Sequence, residues 1–434
     1  MSGVPAPKFV FRGHRAAVHA TTFINRQNGQ RLASGDSEGF VVLWDLMIMR
    51  PSAVWKAHEN AILGIRGWGD DKIITHGRDH KLIVWKIAEE DEGKLSTALP
   101  LDGPTAERTH PWMLHMLEVN TMNFCSFAAC PVEDAGYSRF LGSVSEIFVA
   151  VPNTLASEAV DIYTLPSQQR THTIKPRSTN GMAMSLGLLH HSKKLTLIGA
   201  FENGYASVHQ QSQNGDWVLT YRTQAHSQPV LSLDVHPDLS CFFTSGADAI
   251  IAKHPIPTAP QEVAKPFNPN ERIIEEIDVT GPQEPSLLSE GLKIAARSDR
   301  GGVPTVWREW KHPNKVINTK HSGQQSLEVR SDGGIFATAG WDTKIRVYSC
   351  KTMKELAVLK WHKEGAYAVS FSDVGSRKGS SVAAHSGEDA PEETDKTVDV
   401  SRMTVTDRRS HRIKTAHWVA AGAKDGRVSL WDIY

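Results

Sequence analysis

The sequence of 434 residues has few cysteines, no net charge and no long hydrophobic segment. Its four cysteines contain no Cys-x-x-Cys pair, which argues against a disulfide framework and favours reduced thiols in the cytosol or nucleus. The 48 basic and 48 acidic residues cancel, so no overall field favours nucleic acid or anionic lipid. Apolar runs of about 18 residues are absent, and residues 1–20 lack the apolar core of a secretory signal. We therefore expect a soluble intracellular protein.

What the sequence does contain is a repeated unit. Arg12-Gly13-His14 opens a stretch that ends at Trp44-Asp45, His58 leads in the same way to Trp85, and His362 leads to Trp431-Asp432. A Gly-His start and a Trp-Asp finish, repeated every ~40–45 residues, is typical of the four-stranded blade of a WD40 propeller. Stacked blades form one continuous body, so the whole chain, residues 1–434, is expected to be a single propeller.

Four polar positions recur in these units and predict a buried hydrogen-bond chain of the type His–Ser/Thr–Asp–Trp, because buried polar groups must be paired. Unit two has the complete set, and the other units carry substitutions. Unit one has Glu in the Asp position, and units five and six have His254 and Tyr348 in the Trp position. Unit seven has Ala421 in place of Ser/Thr, which is expected to break its hydrogen-bond chain. The predicted sets are His14, Ser34, Glu38 and Trp44; His58, Thr75, Asp79 and Trp85; His226, Thr244, Asp248 and His254; His321, Thr338, Asp342 and Tyr348; and His362, Asp425 and Trp431.

Seven units fit along the chain, two of them degenerate and recognised only by a turn followed by alternating apolar residues. Three spacings exceed one blade, and we assign the surplus to a long loop insertion at 255–320, between blades five and six, and to a disordered insertion at 373–412 within blade seven. Residues 88–112 and 128–146 are expected to be surface loops. A weak eighth blade over 292–307 is the alternative, but this segment lacks the His and the turn.

The two ends of the chain suggest how the ring closes. The sequence stops at Tyr434, one outer strand short of a complete blade seven, and Phe9-Val10-Phe11 is a short apolar strand in front of the first Gly-His. Pairing these two segments removes an open sheet edge. The predicted fold is therefore an all-β, seven-bladed WD40 β-propeller closed by pairing of the N-terminal strand with the last blade.

Candidate functional residues lie at the rim of this ring. The residue before each anchoring Asp is expected to face the rim, which selects Arg78, Trp341 and Lys424, with Ala247 in blade five. Trp and Arg are enriched in interface hot spots, so Arg78 and Trp341 are candidates for contact with a protein partner. The alternative is a structural role, with Trp341 packed locally and Arg78 in an ion pair within its loop.

Motifs for catalysis are not found: no His-Glu-x-x-His, Gly-x-Ser-x-Gly or phosphate-binding Gly-Lys-Ser/Thr sequence occurs. Five histidines stand at the openings of blades, and four aspartates recur at the same position of the repeat, as turn anchors do. They are His14, His58, His226, His321 and His362, and Asp79, Asp248, Asp342 and Asp425. We therefore expect no catalytic residues, no cofactor and no bound metal.

Several segments also carry a family resemblance. They include Phe9–His14, His76-Gly77-Arg78-Asp79, Ala339-Gly340-Trp341-Asp342 and Gly422–Gly426. With these segments the chain resembles the fungal ASTRA-associated WD-repeat proteins and is similar to the animal guanine-nucleotide-binding-protein beta-subunit-like proteins. The resemblance implies a non-catalytic scaffold of the ASTRA chromatin-remodelling-associated complex, linked to the co-chaperones that mature phosphatidylinositol-3-kinase-related kinases. It also implies a hetero-oligomer with protein partners, and neither nucleic acid nor membrane is expected to bind directly.

Other functions remain as alternatives. A histone- or peptide-reading module would need an aromatic cage or acidic pocket at the central channel, and no such cluster is assigned from the sequence. A ubiquitin-ligase substrate receptor often carries Trp-Asp-x-Arg, and Arg is missing after both Trp44-Asp45 and Trp431-Asp432. We expect the protein in the nucleus, with the cytoplasm left open. The basic run Arg408–Lys414 is either a nuclear-import patch or a solvated loop end.

Overall fold

The computed structural model describes residues 5–26, 29–103, 108–120, 124–134, 136–138, 141–259, 261–264, 305–374 and 404–433. Within them, seven antiparallel sheets of four strands each form the blades of a closed ring. The predicted all-β, seven-bladed propeller is therefore confirmed.

The four strands of each blade run in order from the innermost to the outermost position of its sheet. Blade one consists of β2 (Val18–Arg26), β3 (Gly29–Asp36), β4 (Phe40–Asp45) and β5 (Arg50–Lys56), and blade two of β6 (Ile62–Trp68), β7 (Lys72–Gly77), β8 (Lys81–Lys86) and β9 (Trp112–Glu118). Blade three consists of β10 (Ala128–Pro131), β11 (Ile147–Pro152), β12 (Val160–Leu165) and β13 (Gln169–Ile174), and blade four of β14 (Ala183–His191), β15 (Lys194–Phe201), β16 (Tyr205–Gln211) and β17 (Trp217–Gln224). Blade five consists of β18 (Val230–Val235), β19 (Cys241–Gly246), β20 (Ile250–Pro255) and β23 (Lys315–Asn318), and blade six of β24 (Gln324–Val329), β25 (Ile335–Gly340), β26 (Lys344–Ser349) and β27 (Glu355–Lys360). Blade seven consists of β28 (Ala366–Phe371), β29 (Trp418–Ala423), β30 (Arg427–Asp432) and β1 (Phe9–Arg12).

The hydrophobic core is divided among the junctions between blades. Seven apolar clusters of buried residues occur in the described chain, and each joins two successive blades. At the junction of blades one and two, for example, the rings of Trp55 and Trp85 lie 6.4 Å apart and both side chains are buried. No blade buries both faces by itself, so each blade depends on its two neighbours.

The ring is closed by the pairing of β1 with β30, as predicted. Phe9 lies opposite Leu430 and Phe11 opposite Val428 in an antiparallel register, and the Lys8 N–H donates to the Leu430 carbonyl at 2.8 Å. Phe11 is 2% exposed and its ring lies 4.7 Å from that of Trp44 in blade one. The first strand thus completes blade seven and also packs against blade one.

The segment after blade two's third strand is more than the surface loop predicted for 88–112. It begins with helix α1 (Glu89–Glu92), in which Glu92 is buried and accepts hydrogen bonds from Arg26 at 3.2 Å and Arg31 at 2.9 Å. The Ser96 carbonyl then accepts from the Val54 N–H on the outermost strand of blade one at 2.7 Å. The segment therefore covers an exposed sheet edge, and its C-terminal part enters β9. Residues 128–146, also predicted as loop, supply the innermost strand β10.

The predicted loop insertion at 255–320 is shorter than expected. Its last part forms β23, the fourth strand of blade five, and β21 (Gln261–Ala264) pairs with β22 (Thr305–Arg308) in a small separate sheet. Trp310 exchanges backbone hydrogen bonds with Thr220 and Arg222, so the insertion also covers the outer edge of blade four. The candidate eighth blade over 292–307 lies outside the described residues except for part of β22.

Most of the predicted disordered insertion at 373–412 cannot be compared with the structure, because residues 375–403 lie outside the described residues. For the C-terminal part of this insertion the prediction of disorder is wrong. Helix α2 (Val405–Thr415) contains the basic run, which the sequence analysis interprets as a loop end or an import patch. Ile413 of this helix is 8% exposed and belongs to the cluster between blades seven and one. Two short 3-10 turns, Pro100–Asp102 and Ser178–Asn180, complete the described elements. Among these residues no helix is long and apolar enough to span a bilayer.

The closure can be tested by removing a buried ring from β1. We expect Phe11→Ala to lower the free energy of unfolding by about 3–5 kcal/mol, because it empties a packed site shared by blades seven and one. Phe9→Ala is the matched control, since Phe9 lies in the same strand but is 37% exposed, and it should cost about 1 kcal/mol or less. Urea denaturation of both variants measures the difference, and equal effects would contradict this account of the closure.

Candidate functional site

The hydrogen-bond chains that anchor the rim loops contain the predicted residues in blades two and five. His58 bonds Asp79 and Thr75, each at 2.8 Å, and the Trp85 indole donates to the Thr75 hydroxyl at 2.8 Å. Burial tends to raise the pKa of the Asp79 carboxyl, but the hydrogen bonds from His58 and from the Glu59 N–H outweigh burial and lower it. Asp79 therefore stays charged and fixes the loop that contains His58.

Blade five extends the chain by one residue. His226 bonds Asp248 at 2.9 Å and Thr244 at 2.8 Å, and Thr244 bonds His254 at 2.8 Å. The other ring nitrogen of His254 bonds the Tyr221 hydroxyl at 2.8 Å, which links this blade to the outermost strand of blade four. Burial lowers the pKa of His254 to about 3, so the ring is neutral.

In blade one the prediction of Glu38 is wrong. His14 bonds Asp36 and Ser34, each at 2.7 Å, and the Trp44 indole donates to Ser34 at 2.8 Å. Asp36 is fully buried at the end of β3, whereas Glu38 is exposed in the turn. The carboxylate that is two residues closer to the strand reaches the imidazole, and it also accepts from the Glu38 and Phe40 N–H groups.

In blade six the predicted histidine is wrong. His321 is 41% exposed, and its ring nitrogen lies 3.7 Å from Asp342. The Thr338 hydroxyl donates instead to the amide oxygen of the buried Gln324 at 2.6 Å, and the Arg346 guanidinium donates to Asp342 at 2.6 and 3.0 Å. Two residues, an amide and a guanidinium, thus replace one imidazole.

In blade seven the predicted break in the chain at Ala421 is also wrong. Ser429 lies directly opposite Ala421 on the adjacent strand β30. Its hydroxyl bonds His362 at 2.8 Å and accepts the Trp431 indole N–H at 2.8 Å. Asp425 lies 3.6 Å from His362. The hydroxyl has moved across one strand pair and keeps its bonds to the histidine and the tryptophan. The chain is interrupted instead between His362 and Asp425, because the His362 Nδ1 and one Asp425 carboxylate oxygen have no hydrogen-bond partner among the described residues.

The two degenerate blades use other solutions. In blade three the buried Asp161 accepts from Asn153 at 2.8 Å and from Thr173 at 2.6 Å, and Asn153 caps the turn by accepting from the Leu155 and Ala156 N–H groups. In blade four Ser207 and His209 approach at 3.5 Å, and burial lowers the pKa of His209 to about 4.

The predicted rim residues occupy equivalent places. In each case the backbone N–H of the rim residue donates to a carbonyl of the loop that precedes the innermost strand. These bonds are Arg78 to Ala61 at 2.8 Å, Ala247 to Pro229 at 2.9 Å, Trp341 to Gly323 at 2.9 Å and Lys424 to Gly365 at 2.9 Å. The two loops of each blade are thus joined on one face, with the rim residue between them.

The side chains of the rim residues are largely available. Lys424 is exposed, and Trp341 is 47% exposed while its indole donates to Gln325 at 2.9 Å. Arg78 does not form the intra-loop ion pair of the structural alternative; its guanidinium lies 4.3 Å from the ring centre of Phe124, which is 56% exposed. The sequence gives no signal for Phe124, because its position beside Arg78 depends on the neighbouring blade.

One group among the described residues has the composition of a metal site, although the sequence predicts no metal. The ligand atoms of His236, Asp238 and Cys241 lie within 4.8 Å of one another. However, His236 bonds the Gly333 carbonyl at 3.0 Å, and Asp238 accepts from the Ser240 N–H at 2.9 Å and hydroxyl at 2.7 Å. These contacts stabilise the turn between β18 and β19. All four cysteines of the chain are buried thiols outside any disulfide.

Comparison with known proteins agrees with this geometry. The family model described as "WD domain, G-beta repeat" matches residues 5–45 and 215–252. Together with the seven blades, this defines a WD40-repeat propeller, a fold that is typically a non-catalytic interaction module.

Relatives named ASTRA-associated protein 1 match the chain over its full length. The protein of Verticillium alfalfae is 48% identical, with 100% of this chain and 94% of the relative covered. The proteins of Pyricularia oryzae and Schizosaccharomyces pombe are 45% and 30% identical, each covering 99% of this chain and 97% and 100% of the relative. The chain belongs to the ASTRA-associated protein 1 family.

The shifted hydroxyl of blade seven gives a rescue experiment. We expect Ser429→Ala to lower the free energy of unfolding by about 1–3 kcal/mol, because it leaves the buried His362 and Trp431 nitrogens without their shared partner. Adding Ala421→Ser returns a hydroxyl to the position it has in the other blades and should restore much of the loss. Denaturant unfolding measures both variants; Ser429→Ala behaving like wild type would show that the bonds contribute nothing.

The histidine of blade five predicts a dependence on pH. Folded His254 stays neutral down to about pH 3, whereas the unfolded chain binds a proton near the ordinary value of 6.5. Between these two pH values the unfolded state therefore binds more protons than the folded state. As the pH falls below 6.5, the free energy of unfolding decreases by about 1.4 kcal/mol per pH unit.

We expect His254→Gln, which keeps an N–H for Thr244, to reduce this slope. Urea midpoints between pH 7 and pH 5 measure it, and His312→Gln is the control because His312 is exposed. Identical slopes for wild type and His254→Gln would contradict the assignment.

Proposed function

We propose that this protein is a non-catalytic scaffold subunit of the ASTRA chromatin-remodelling-associated assembly and holds protein partners on its rim. The observation that carries the proposal is the set of rigidly anchored loops that present Arg78, Trp341 and Lys424 on one face. Variable side chains on a fixed frame are suited to binding, since the loops are positioned before a partner arrives.

The family adds the identity of the assembly. The relatives are named for their association with ASTRA, and we extend this association to the present chain. The link to co-chaperone-assisted maturation of phosphatidylinositol-3-kinase-related kinases belongs to the same proposal, as does a role in chromatin regulation. We place the protein in the nucleus, with the cytoplasm left open; Arg408, Arg409 and Arg412 are exposed on α2, which supports recognition by an import receptor.

Affinity purification from the organism's own cells tests the assembly. We expect tagged wild-type protein to recover remodelling subunits and kinase-maturation co-chaperones, identified by mass spectrometry. Recovery of histones alone, or of a ubiquitin-ligase core, would overturn the proposal in favour of the corresponding alternative.

Substitutions at the rim test which residues make the contact. We expect Arg78→Ala and Trp341→Ala each to reduce capture of the partners roughly tenfold or more, as truncation of interface anchors does. Trp310→Ala and Arg50→Ala are matched controls, because Trp310 is 41% exposed on the outer edge of blade four and Arg50 is exposed at the start of β5. Unchanged capture by stable rim variants would remove these two residues from the interface.

A further inference from the structure

The innermost strands carry a repeated irregularity. In six blades the pairing of the first and second strands skips one residue at the same place, just below the rim. A bulge of this kind leaves the extra residue out of the ladder and redirects its side chain. The residues left out are His19, Leu63, Met184, Leu231, Gln325 and Tyr367.

The bulged residues lie on the innermost strands, which surround the central channel, at the end next to the rim. Met184 is buried there, and the other five are partly exposed at the mouth of the channel. Each follows a residue that pairs with the end of the second strand, next to the rim; Val18 lies opposite Asp36 and Ala366 opposite Ala423. His19 and Tyr367 come from adjacent blades, and their rings stack 5.3 Å apart. Gln325 contacts the half-exposed Trp341. The mouth is therefore lined mainly by aromatic and aliphatic groups.

Positive charge is concentrated along one arc of this mouth. Blades six, seven, one and two place Trp341, Lys424, Ser37 and Arg78 at successive rim positions. Neither Lys424 nor Arg78 forms an ion pair with any residue that the structure describes. Arg78 also acts electrostatically on His19 in the mouth. Burial lowers the pKa of His19, and the Arg78 guanidinium lowers it further, against an opposing effect of Asp36.

Acidic groups near the arc are fewer or already engaged. The carboxylates of Asp36, Asp79 and Asp342 bond His14, His58 and Arg346. Of the rim positions at which this backbone bond is seen, only Glu202 is acidic, and it belongs to blade four, outside the arc. Exposed Glu38 and Glu364 are balanced by exposed Arg15 and Lys363. What remains is an apolar cup, formed by Tyr367, Trp341 and His19, beside the two cations Arg78 and Lys424.

We propose that this mouth binds a protein segment in which an aromatic or aliphatic side chain is flanked by carboxylates. The apolar side chain would enter the cup formed by Tyr367, Trp341 and His19, and the carboxylates would pair with Arg78 and Lys424. This inference rests on the proposed scaffold function and specifies the chemistry of its partner. A basic peptide such as a histone tail is disfavoured, because the arc would repel it.

Peptide binding by the purified full-length protein tests the proposal directly. The probes are a short fluorescent peptide with one Trp flanked by Asp and Glu, the same peptide with Lys in place of the acids, and the acidic peptide with Ala in place of Trp. Fluorescence anisotropy should show binding of the first peptide, roughly tenfold weaker binding of the other two, and weakening of the first by added salt.

Charge reversal locates the site. The double variant Arg78→Glu with Lys424→Glu should weaken the acidic peptide roughly tenfold or more. The matched control is Lys351→Glu with Lys354→Glu, which makes the same change in charge in the exposed turn at the opposite end of β26. The thermal transitions of both variants are compared with that of wild type, and the double variant Arg78→Gln with Lys424→Gln is used if the reversed charges impair folding.

The results separate the two proposals. Equal binding of the acidic and Lys peptides, no binding of either, or insensitivity to reversal at Arg78 and Lys424 would overturn the inference about the mouth. Any of these results would leave the scaffold function standing if purification still recovers the assembly. Conversely, specific binding of the acidic peptide without recovery of the assembly would support the site and overturn the assignment to ASTRA.

Discussion

The pairing of β1 with β30 is the contact on which the rest of the structure depends. Each core cluster of the described residues lies between two blades, so an open ring would leave two apolar faces and two sheet edges in water. Closure brings residues from the two ends of the chain together, and its entropic cost grows only with the logarithm of the enclosed length. The apolar face of β1 offsets that cost, because Phe11 packs on Trp44 while its backbone completes blade seven.

Once the ring is closed, blades one, two, five, six and seven meet a similar local requirement: a buried hydroxyl and a nearby carboxylate must both be paired. The chain satisfies it in different ways. Blades one, two and five use histidine between hydroxyl and carboxylate; blade six divides that task between Gln324 and Arg346. In blade seven Ser429 supplies the hydroxyl from the strand opposite its usual position. The constraint acts on the positions of the polar atoms and not on residue identity, so unlike residues can anchor the rim loops of different blades.

The same constraint explains which features of the fold and of the site can be predicted from the sequence. The ring, the number of blades and the closing strand are predictable, because they depend on periodic apolar positions and on spacing along the chain. The partners of Thr338 and Trp431 are not, because Gln324 reaches Thr338 from the neighbouring strand, and Ser429 lies two residues before Trp431 on the same strand, where the repeated pattern places no hydroxyl. Strands β10 and β23 and helix α2 resemble loops in sequence because their short or polar segments acquire order from neighbouring blades, as Ile413 does in the cluster between blades seven and one. Phe124 gives no signal for the same reason.

The bulges show how a regular ring acquires a specific surface. A perfect ladder would keep the innermost strands flat and alike, whereas one extra residue in each of six blades adds a side chain next to the rim. The identity of that residue is then free to vary, and in this chain it yields an aromatic stack, an amide and aliphatic groups. The rim positions vary independently on the same anchored loops. The proposed recognition therefore depends on a few positions per blade, whereas stability depends on the junctions between blades. The two can change separately because they share few side chains.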